Sequence, residues 1–406
     1  MIILLFGHYA ALKAARKNGY KVINIQLKEM IGNKDLSNKV INEAFQTYIL
    51  DNATQIEDVV KQIIITNKVV GVLSFTDRHN GVLIANELNN KYIFNNKFTP
   101  NDSVGIINDK GRLREFIREK KLKSIPYRVC KNPIEVIEFL KQCNTSIILK
   151  PTKGQGSNNV VKVSSECEVK EYFSVNENIG EVIAELFLEG REFSVESITY
   201  NYTTKILAVT EKLTIGENIH GANPFVELSH TIPAKIEDTF RYEMETQVKL
   251  LFDMLGVVHA AGHTEFIVGK EGPYIIESHL RPGGDSIPKL VELYRGCDIH
   301  SLVYDCFYNK SIPENFCYLK KACVYFFIPP LGKITYIEIP ENIKNREDVH
   351  LVDVRFKEGD WVNKISNTVD RKYGHIIVTS NLDQGVIEKT KDYINSIIIK
   401  TDIKVN

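Results

Sequence analysis

The chain has 406 residues, beyond the usual size of one hydrophobic core, so roughly two or three packed units are expected. Apolar residues make up 43% and charged ones 25%, and 51 basic residues balance 51 acidic ones, which leaves no electrostatic footprint for nucleic acid or an anionic membrane. The seven cysteines (130, 143, 167, 297, 306, 317 and 323) include no Cys-x-x-Cys pair, so neither a disulfide framework nor a zinc site is indicated, and a reduced, cytoplasmic setting fits.

The apolar run from Met1 to Phe6 is too short for a leader or a membrane span, and no later run approaches ~18 uninterrupted apolar residues, so a soluble, unprocessed protein is expected. Ile2 to Phe6, Ala10 to Asn18 and Lys21 to Gln26 read as strand, helix and strand, with Gly19 at a helix C-terminus. Helical spacing over Ile56 to Thr66, a buried strand over Val69 to Phe75 and a helix over His79 to Asn89 complete a parallel α/β domain of residues 1–95. A Gly-x-Gly-x-x-Gly turn is missing after the first strand, which argues against a dinucleotide fold.

From Asp109 the pattern predicts a charged helix to Lys121, a strand over Pro126 to Cys130, a helix over Pro133 to Gln142 and a strand over Ser146 to Lys150. A glycine-bearing loop, Thr152 to Asn159, then leads to a strand over Val160 to Val163. Strands over Glu181 to Phe187, Glu192 to Tyr200 and Thr204 to Thr210, a helix over Asp238 to Leu255, and strands over Ala261 to Val268 and Pro273 to Ser278 give an antiparallel-rich α+β middle, 96–315. Residues 316–406 read as short strands with turn residues, closed by a helix over Gln384 to Ser396.

Three elements carry chemistry. Lys150 ends a strand before Gly154, Gly156 and Ser157; a fixed cation beside free backbone N–H groups suits a polyanion, although the loop taken alone fits a solubilising hairpin equally well. It is not a Walker A loop, since no Gly-Lys-Ser/Thr opens a helix. Glu265 and Glu277 lie on two strands joined by the turn Gly269 to Gly272, so they sit at corresponding heights of a hairpin, where a divalent cation would relieve their repulsion. As an isolated pair, each is better read as the partner of a lysine or arginine. Arg281-Pro282-Gly283-Gly284-Asp285 follows, able to steady a transferring phosphoryl group or an oxyanion, or simply a turn with a surface arginine. Their joint occurrence, in order, shifts the balance towards function.

Together these residues resemble the ATP-grasp superfamily of carboxylate–amine ligases over residues 70 to 300. Asp109-Lys110 with Arg114 is similar to the family's opening motif, whose lysine reaches the nucleotide phosphates. Lys150 with Gly154, Gly156 and Ser157 resembles its second lysine and glycine-rich lid, in a lid subdomain of about 112–183. The stretch from Glu185 to Glu196 is similar to the strand that, by this resemblance, gives Glu185 and Leu188 to the adenine and Glu192 to the ribose. The same resemblance gives Glu265 and Glu277 to magnesium or manganese, implying two ions, and Arg281 to the phosphoryl group.

Within the superfamily, the chain most resembles the L-amino-acid ligases, the bacilysin synthetase-type dipeptide ligases. Glu211-Lys212 and the segment from Phe225 to Ala234 are similar to those lining their amino-acid pocket, which implies substrate contacts from Glu227, His230, Arg281 and Gly284; the tail resembles their β-rich C-terminal domain. The chain departs from the family at His279, where an asparagine is usual; imidazole nitrogen suits manganese or another transition metal better than magnesium, alters metal preference or turns away, and leaves a weakened site open. Asn159 replaces a lid glycine, a position asparagine tolerates. His259 and His263 are read as structural or incidental, because helical spacing means nothing on a strand.

The resemblance implies an ATP-dependent ligase that activates an amino acid as an acyl phosphate and joins it to an amine, with small-molecule partners and a homodimer admitted. Competing readings are a ligase loading an amino acid onto a carrier-protein thiol, a carboxylase or purine-pathway enzyme of the same fold, and a nucleotide-binding regulatory protein with a decayed site.

Overall fold

A computed structural model describes residues 1–31, 40–94, 96–154, 156–216, 222–382 and 384–402. The chain begins with β1 (Ile2–Leu5), α1 (Tyr9–Lys17), β2 (Val22–Leu27), β3 (Gln46–Leu50), α2 (Ile56–Thr66), β4 (Gly71–Ser74) and α3 (Gly81–Tyr92). The order β3-β2-β1-β4 is wholly parallel. Every residue of β1, β2 and β4 is buried, as a parallel strand covered on both faces requires; β1 is wholly apolar, whereas β2 carries the buried polar residues Asn24 and Gln26 and β4 ends in Ser74. Helix α1 starts where the His8 side chain accepts from the Ala11 N–H and ends at Asn18, with Gly19 at φ 74 just beyond.

Next come α4 (Asn101–Ile107) and α5 (Lys110–Glu119), the second capped by Asp109, whose carboxylate accepts from the N–H groups of Gly111 and Arg112. Then β5 (Tyr127–Cys130), α6 (Pro133–Cys143), β6 (Ile147–Pro151), β7 (Val161–Val163), α7 (Glu166–Val175) and β8 (Val182–Leu186) follow. Their four strands make an antiparallel sheet, β5-β8-β6-β7, with α6 and α7 packed on it over Val136, Leu140 and Val169. The expected glycine-bearing loop links β6 to β7, with Gly154 and Gly156 at positive φ and Asn159 at φ 55; Gln155 lies outside the described residues.

The centre is an eight-stranded antiparallel sheet, built from β9 (Arg191–Tyr200), β10 (Thr203–Thr214), β11 (Glu227–Ile232), β12 (His259–Gly269) and β13 (Gly272–His279). Helix α8 (Asp238–Met254) packs on it through Met244, Val248, Leu251 and Phe252, and α9 (Ile287–Arg295) and α10 (Ile299–Phe307) follow β13. The tail adds β14 (Lys321–Phe326), β15 (Gly332–Glu338), α11 (Glu341–Lys344), β16 (Val349–Val354), β17 (Trp361–Val362), β18 (Gly374–Ser380), α12 (Val386–Asn395) and β19 (Ile398–Asp402). The tail's strands are divided: β14, β18 and β16 extend the central sheet beside β11, while β17, β15 and β19 make a small sheet of their own. The strands β3, β11 and β19 and the helices α4, α7, α9 and α10 lie where the sequence reading placed no element.

Candidate active site

Strand period fixes which side chains meet over the central sheet. In β12, His263, Glu265 and Ile267 share a face; in β9 the pairing partners on that face are Glu196, Ser194 and Glu192. Across the hairpin Glu265 stands opposite Glu277 and His263 opposite His279. On the other side Glu192 pairs with Lys212 of β10, which pairs with His230 of β11. The β10–β11 register slips after Leu213, so Glu227 joins His230 on the face that a strict alternation would deny it.

Glu265 and Glu277 are surrounded by cations. Lys212 Nζ lies 2.7 Å from Glu227 Oε1 and 2.5 Å from Glu265 Oε1, while His263 bridges Glu196 at 2.9 Å and Glu265 at 3.0 Å. On Glu277, Lys110 Nζ approaches to 3.1 Å and His279 Nε2 to 3.0 Å. Burial opposes ionisation of both carboxyls, yet Lys212 and His263 hold Glu265, and Lys110 and His279 hold Glu277, well below the usual carboxylate range. Burial likewise works against a charged His263, but the Glu196 carboxylate outweighs it and raises the imidazole to about 9. Two ionised carboxylates facing each other across a hairpin, with an imidazole beside one of them, form a donor set that fits magnesium or manganese.

The nucleotide lysine of the sequence reading, Lys150, is 2.7 Å from Glu185, whose other oxygen receives the Arg114 guanidinium. Arg114 is only 1% exposed and also donates to the carbonyl of Ile275, so it ties α5 to β8 and β13. Burial disfavours a charged Glu185, but Arg114 and Lys150 pull its pKa down to about 2. Glu192 goes the other way: burial raises it to about 7, with Glu265 and Glu227 adding to the rise against Lys212. Lys110 Nζ also donates to the Gly154 carbonyl at 2.9 Å, and Ser157 Oγ donates to the Phe225 carbonyl at 3.0 Å, so the β6–β7 loop touches Lys110 and rests on the segment before β11.

At the far end His230 is fully buried and, among the described residues, neither ring nitrogen has a hydrogen-bond partner; Glu227 and Asp285 stand 3.7 and 3.9 Å from its Nε2. Arg371, from the tail, donates to Asp285 and to the Glu227 carbonyl. Arg281 donates from Nε to Asp77, which comes from the turn after β4.

One cavity of about 920 Å³, within the range of ligand sites, runs past Lys110, Lys150, Lys212, Glu227, His230, His263, Glu265 and Glu277. Every residue picked from the sequence lines it: Lys110, Lys150, Gly154, Gly156, Ser157, Glu185, Leu188, Glu192, Glu227, His230, Glu265, Glu277, His279, Arg281 and Gly284. A side chain at Gly284 would meet open space, whereas one at Gly283 would come within 2.9 Å of His263 Nδ1, so the close approach belongs to Gly283. His263 is not incidental, as expected from the sequence, but central to the network; His259 is structural, stacked on Tyr200 at 5.4 Å. The sequence reading places Lys212 in the pocket-lining segment, names Glu196 and Asp285 within motifs without a role of their own, and assigns nothing to Arg371 or Asp77. Strand parity with Glu265 was a usable signal for Lys212 and Glu196, and no local signal marks Asp77 or Arg371.

Residues 107–285 match the family model described as an ATP-grasp domain. The chain carries an ATP-grasp domain. The matched stretch runs from just before Lys110 to Asp285 and so holds Lys110, Lys150, Glu265, Glu277 and Arg281. Among curated proteins, D-alanine–D-alanine ligase of Flavobacterium johnsoniae is 29% identical over 152 residues, covering 37% of this chain and 47% of that one. Carbamoyl-phosphate synthase of Methanobrevibacter smithii is 24% identical over 267 residues, 64% of this chain and 65% of that one. The chain thus spans about half the length of the first of these, 47%, and 65% of the second. Among solved structures, L-amino acid ligase from Bacillus licheniformis superposes with a TM-score of 0.79 at 18% identity over 99% of this chain and 98% of that one. Phosphoribosylglycinamide synthetase from Anaerococcus prevotii gives 0.72 at 20% identity over 99% of both chains. These superpositions extend the ATP-grasp fold beyond the matched domain to nearly the whole chain. Among the described residues, no helix is long and apolar enough to cross a membrane.

Proposed function

We propose that this chain is an ATP-dependent ligase that activates an L-amino acid as its acyl phosphate and passes the acyl group to an amine, releasing ADP and phosphate. The observation that carries the amino-acid reading is the convergence of Glu227, His230 and Asp285, whose ligand atoms all lie within 4.8 Å of one another. Two carboxylate oxygens and an unpartnered imidazole nitrogen offer three acceptors, the number an ammonium group has N–H bonds to give. Lys212 and Arg371 already answer Glu227 and Asp285, so a singly charged ammonium suits the spot better than a divalent ion.

The remaining roles follow from position. Lys110 and Lys150 neutralise the nucleotide phosphates beside the Gly154 and Gly156 lid; Glu185 anchors Lys150 and, with Leu188, borders the adenine, while Glu192 meets the ribose. Glu265, Glu277 and His279 would hold magnesium or manganese, two ions in this reading, which when bound screens phosphate charge. Attack of the acid's carboxylate on the terminal phosphorus breaks the bond to ADP, and Arg281 stabilises the charge on the phosphoryl oxygens. The amine nitrogen then attacks the acyl carbon, the C–O bond to phosphate breaks with its electrons on oxygen, and the amine sheds a proton. Gly284 and its neighbours offer backbone N–H groups to the reacting carboxyl, and the lid excludes water that would hydrolyse the acyl phosphate. This reading takes 1–95, 96–315 and 316–406 as the domains.

The test is phosphate release from ATP, with magnesium or manganese, across the amino acids singly and in pairs, with mass spectrometry of the products. Release accompanied by a new dipeptide mass is expected. Release with no condensation product, or none with any amino acid, overturns the amino-acid assignment.

A further inference from the structure

Asp77 stands in the turn between β4 and α3, in the parallel domain, yet its side chain is 11% exposed because it enters the cleft of the central sheet. Its Oδ2 accepts from Arg281 Nε and lies at an ion-pair distance of 3.0 Å, without hydrogen-bond geometry, from Nδ1 of His279, whose Nε2 faces Glu277 at 3.0 Å. One carboxylate oxygen therefore lies between Arg281 and the His279 ring that faces Glu277, and it comes from the turn after β4 rather than from the central sheet. Among the described residues its second oxygen, Oδ1, is buried without a partner. An unpartnered buried oxygen is unfavourable for folding alone, so packing does not account for an aspartate here.

Arg281 also donates from Nη1 to the neighbouring Pro282 carbonyl at 2.9 Å, a contact that leaves the guanidinium free to swing about its stem. A second hold at Nε removes that freedom, because the planar fork is then fixed at two points. A carboxylate beside a potential metal-facing imidazole likewise selects which ring nitrogen is turned outward.

We infer that Asp77 is a positioning residue for phosphoryl transfer: it fixes the Arg281 guanidinium relative to the His279 ring beside Glu277, and it makes that geometry depend on the seating of the parallel domain. The inference rests on the reading of Arg281 as the group that steadies the transferring phosphoryl, but on neither the identity of the acid nor that of the amine.

The experiment compares wild type, Asp77→Asn and Asp77→Glu in their affinity for ADP with magnesium, and for ADP with magnesium and aluminium fluoride, which mimics the phosphoryl group in flight. Wild type is expected to bind the fluoride complex at least about tenfold more tightly than ADP alone, since such analogues draw on contacts made only in the transition state. Asp77→Asn keeps the shape and removes the charge: its ADP affinity should stay within about threefold of wild type and most of the fluoride-dependent tightening should vanish, with Asp77→Glu recovering part of it. Given a supported acid and amine, kcat should fall about a hundredfold while KM for ATP holds. Equal tightening in Asp77→Asn and wild type overturns the inference, as does loss of ADP affinity in step with it, or a wild type that shows no tightening. Tightening that depends on Asp77, in a protein that condenses no acid with any amine, would sink the ligase reading and leave the inference standing.

Discussion

Lys212 is the residue on which the electrostatics of the cleft turn. It is buried between Glu227 and Glu265, and although burial works against its charge, those two carboxylates raise its pKa above the ordinary lysine value. Replacing it by methionine keeps the stem and removes the charge, so two shielded carboxylates lose their cation; a loss of about 3 kcal/mol in urea unfolding is expected. A loss near zero would mean that solvent reaches the carboxylates freely. Glu277→Gln acts on chemistry instead: phosphate release should drop by about a hundredfold or more while nucleotide affinity stays within about threefold, and full activity would remove Glu277 from the metal site. His259 gives a pH prediction remote from the cleft. Burial lowers its pKa from 6.5 to about 4, so between those values the unfolded chain takes up a proton that the folded one refuses. The stability it supports is complete above pH 6.5 and is lost as pH falls through 4. Urea midpoints measured at pH 7 and pH 4.5 should therefore diverge more in wild type than in His259→Phe, by on the order of 2 kcal/mol; equal divergence would show the ring to be solvated.

Elements whose register depends on a short turn were legible in the sequence. The β12–β13 hairpin is one case, although the turn at Gly269 to Gly272 carries the register only as far as Phe266 opposite Ile275; a shift beyond Phe266 then sets Glu265 opposite Glu277, where the turn alone would have placed Ile276. Parity carried less far: His263 shares a face with Glu265, but histidine periodicity was weighed as a helix would present it, and the residue was set aside. Contacts between elements distant in sequence, such as Arg371 with Asp285 or Asp77 with Arg281, have no local signature, since only the tertiary fold brings them together. The lid loop shows both sides. Its glycines were read from the β6–β7 spacing, while its docking on the tail, through Thr368 N–H to the Gly156 carbonyl at 3.2 Å, was not. Gly156 holds φ 70, and an added Cβ would come within 2.5 Å of Thr368 Oγ1. Gly156→Ala is expected to strain and undock the loop, with faster protease cleavage between 152 and 159 and a rise of about tenfold in KM for ATP. An unchanged digestion pattern would mean that the loop does not rest on Thr368.

At the scale of the molecule, four sheets invite the expectation of independently unfolding domains, and the buried contacts oppose it. The apolar cluster that covers one face of the parallel sheet contains Leu4, Leu12 and Leu73, and it is continuous with Tyr304 and Phe307 of α10, Ile198 of β9 and Val324 of β14. The Tyr304 hydroxyl donates to the Ala11 carbonyl, so α1 and α10 are joined by a hydrogen bond as well as by packing. Tail strands extend the central sheet through β11–β14 pairing, so exposing any one of these layers strips apolar surface from the next. Calorimetry should therefore show the parallel domain and the central sheet melting together. Leu12→Ala, at a fully buried position of that shared cluster, is expected to cost about 3 kcal/mol and to move the whole transition downward. If instead an early transition splits off and the main one keeps its Tm, the parallel domain is a separate folding unit, and the placement of Asp77 beside Arg281 would be lost on warming before the central sheet opens.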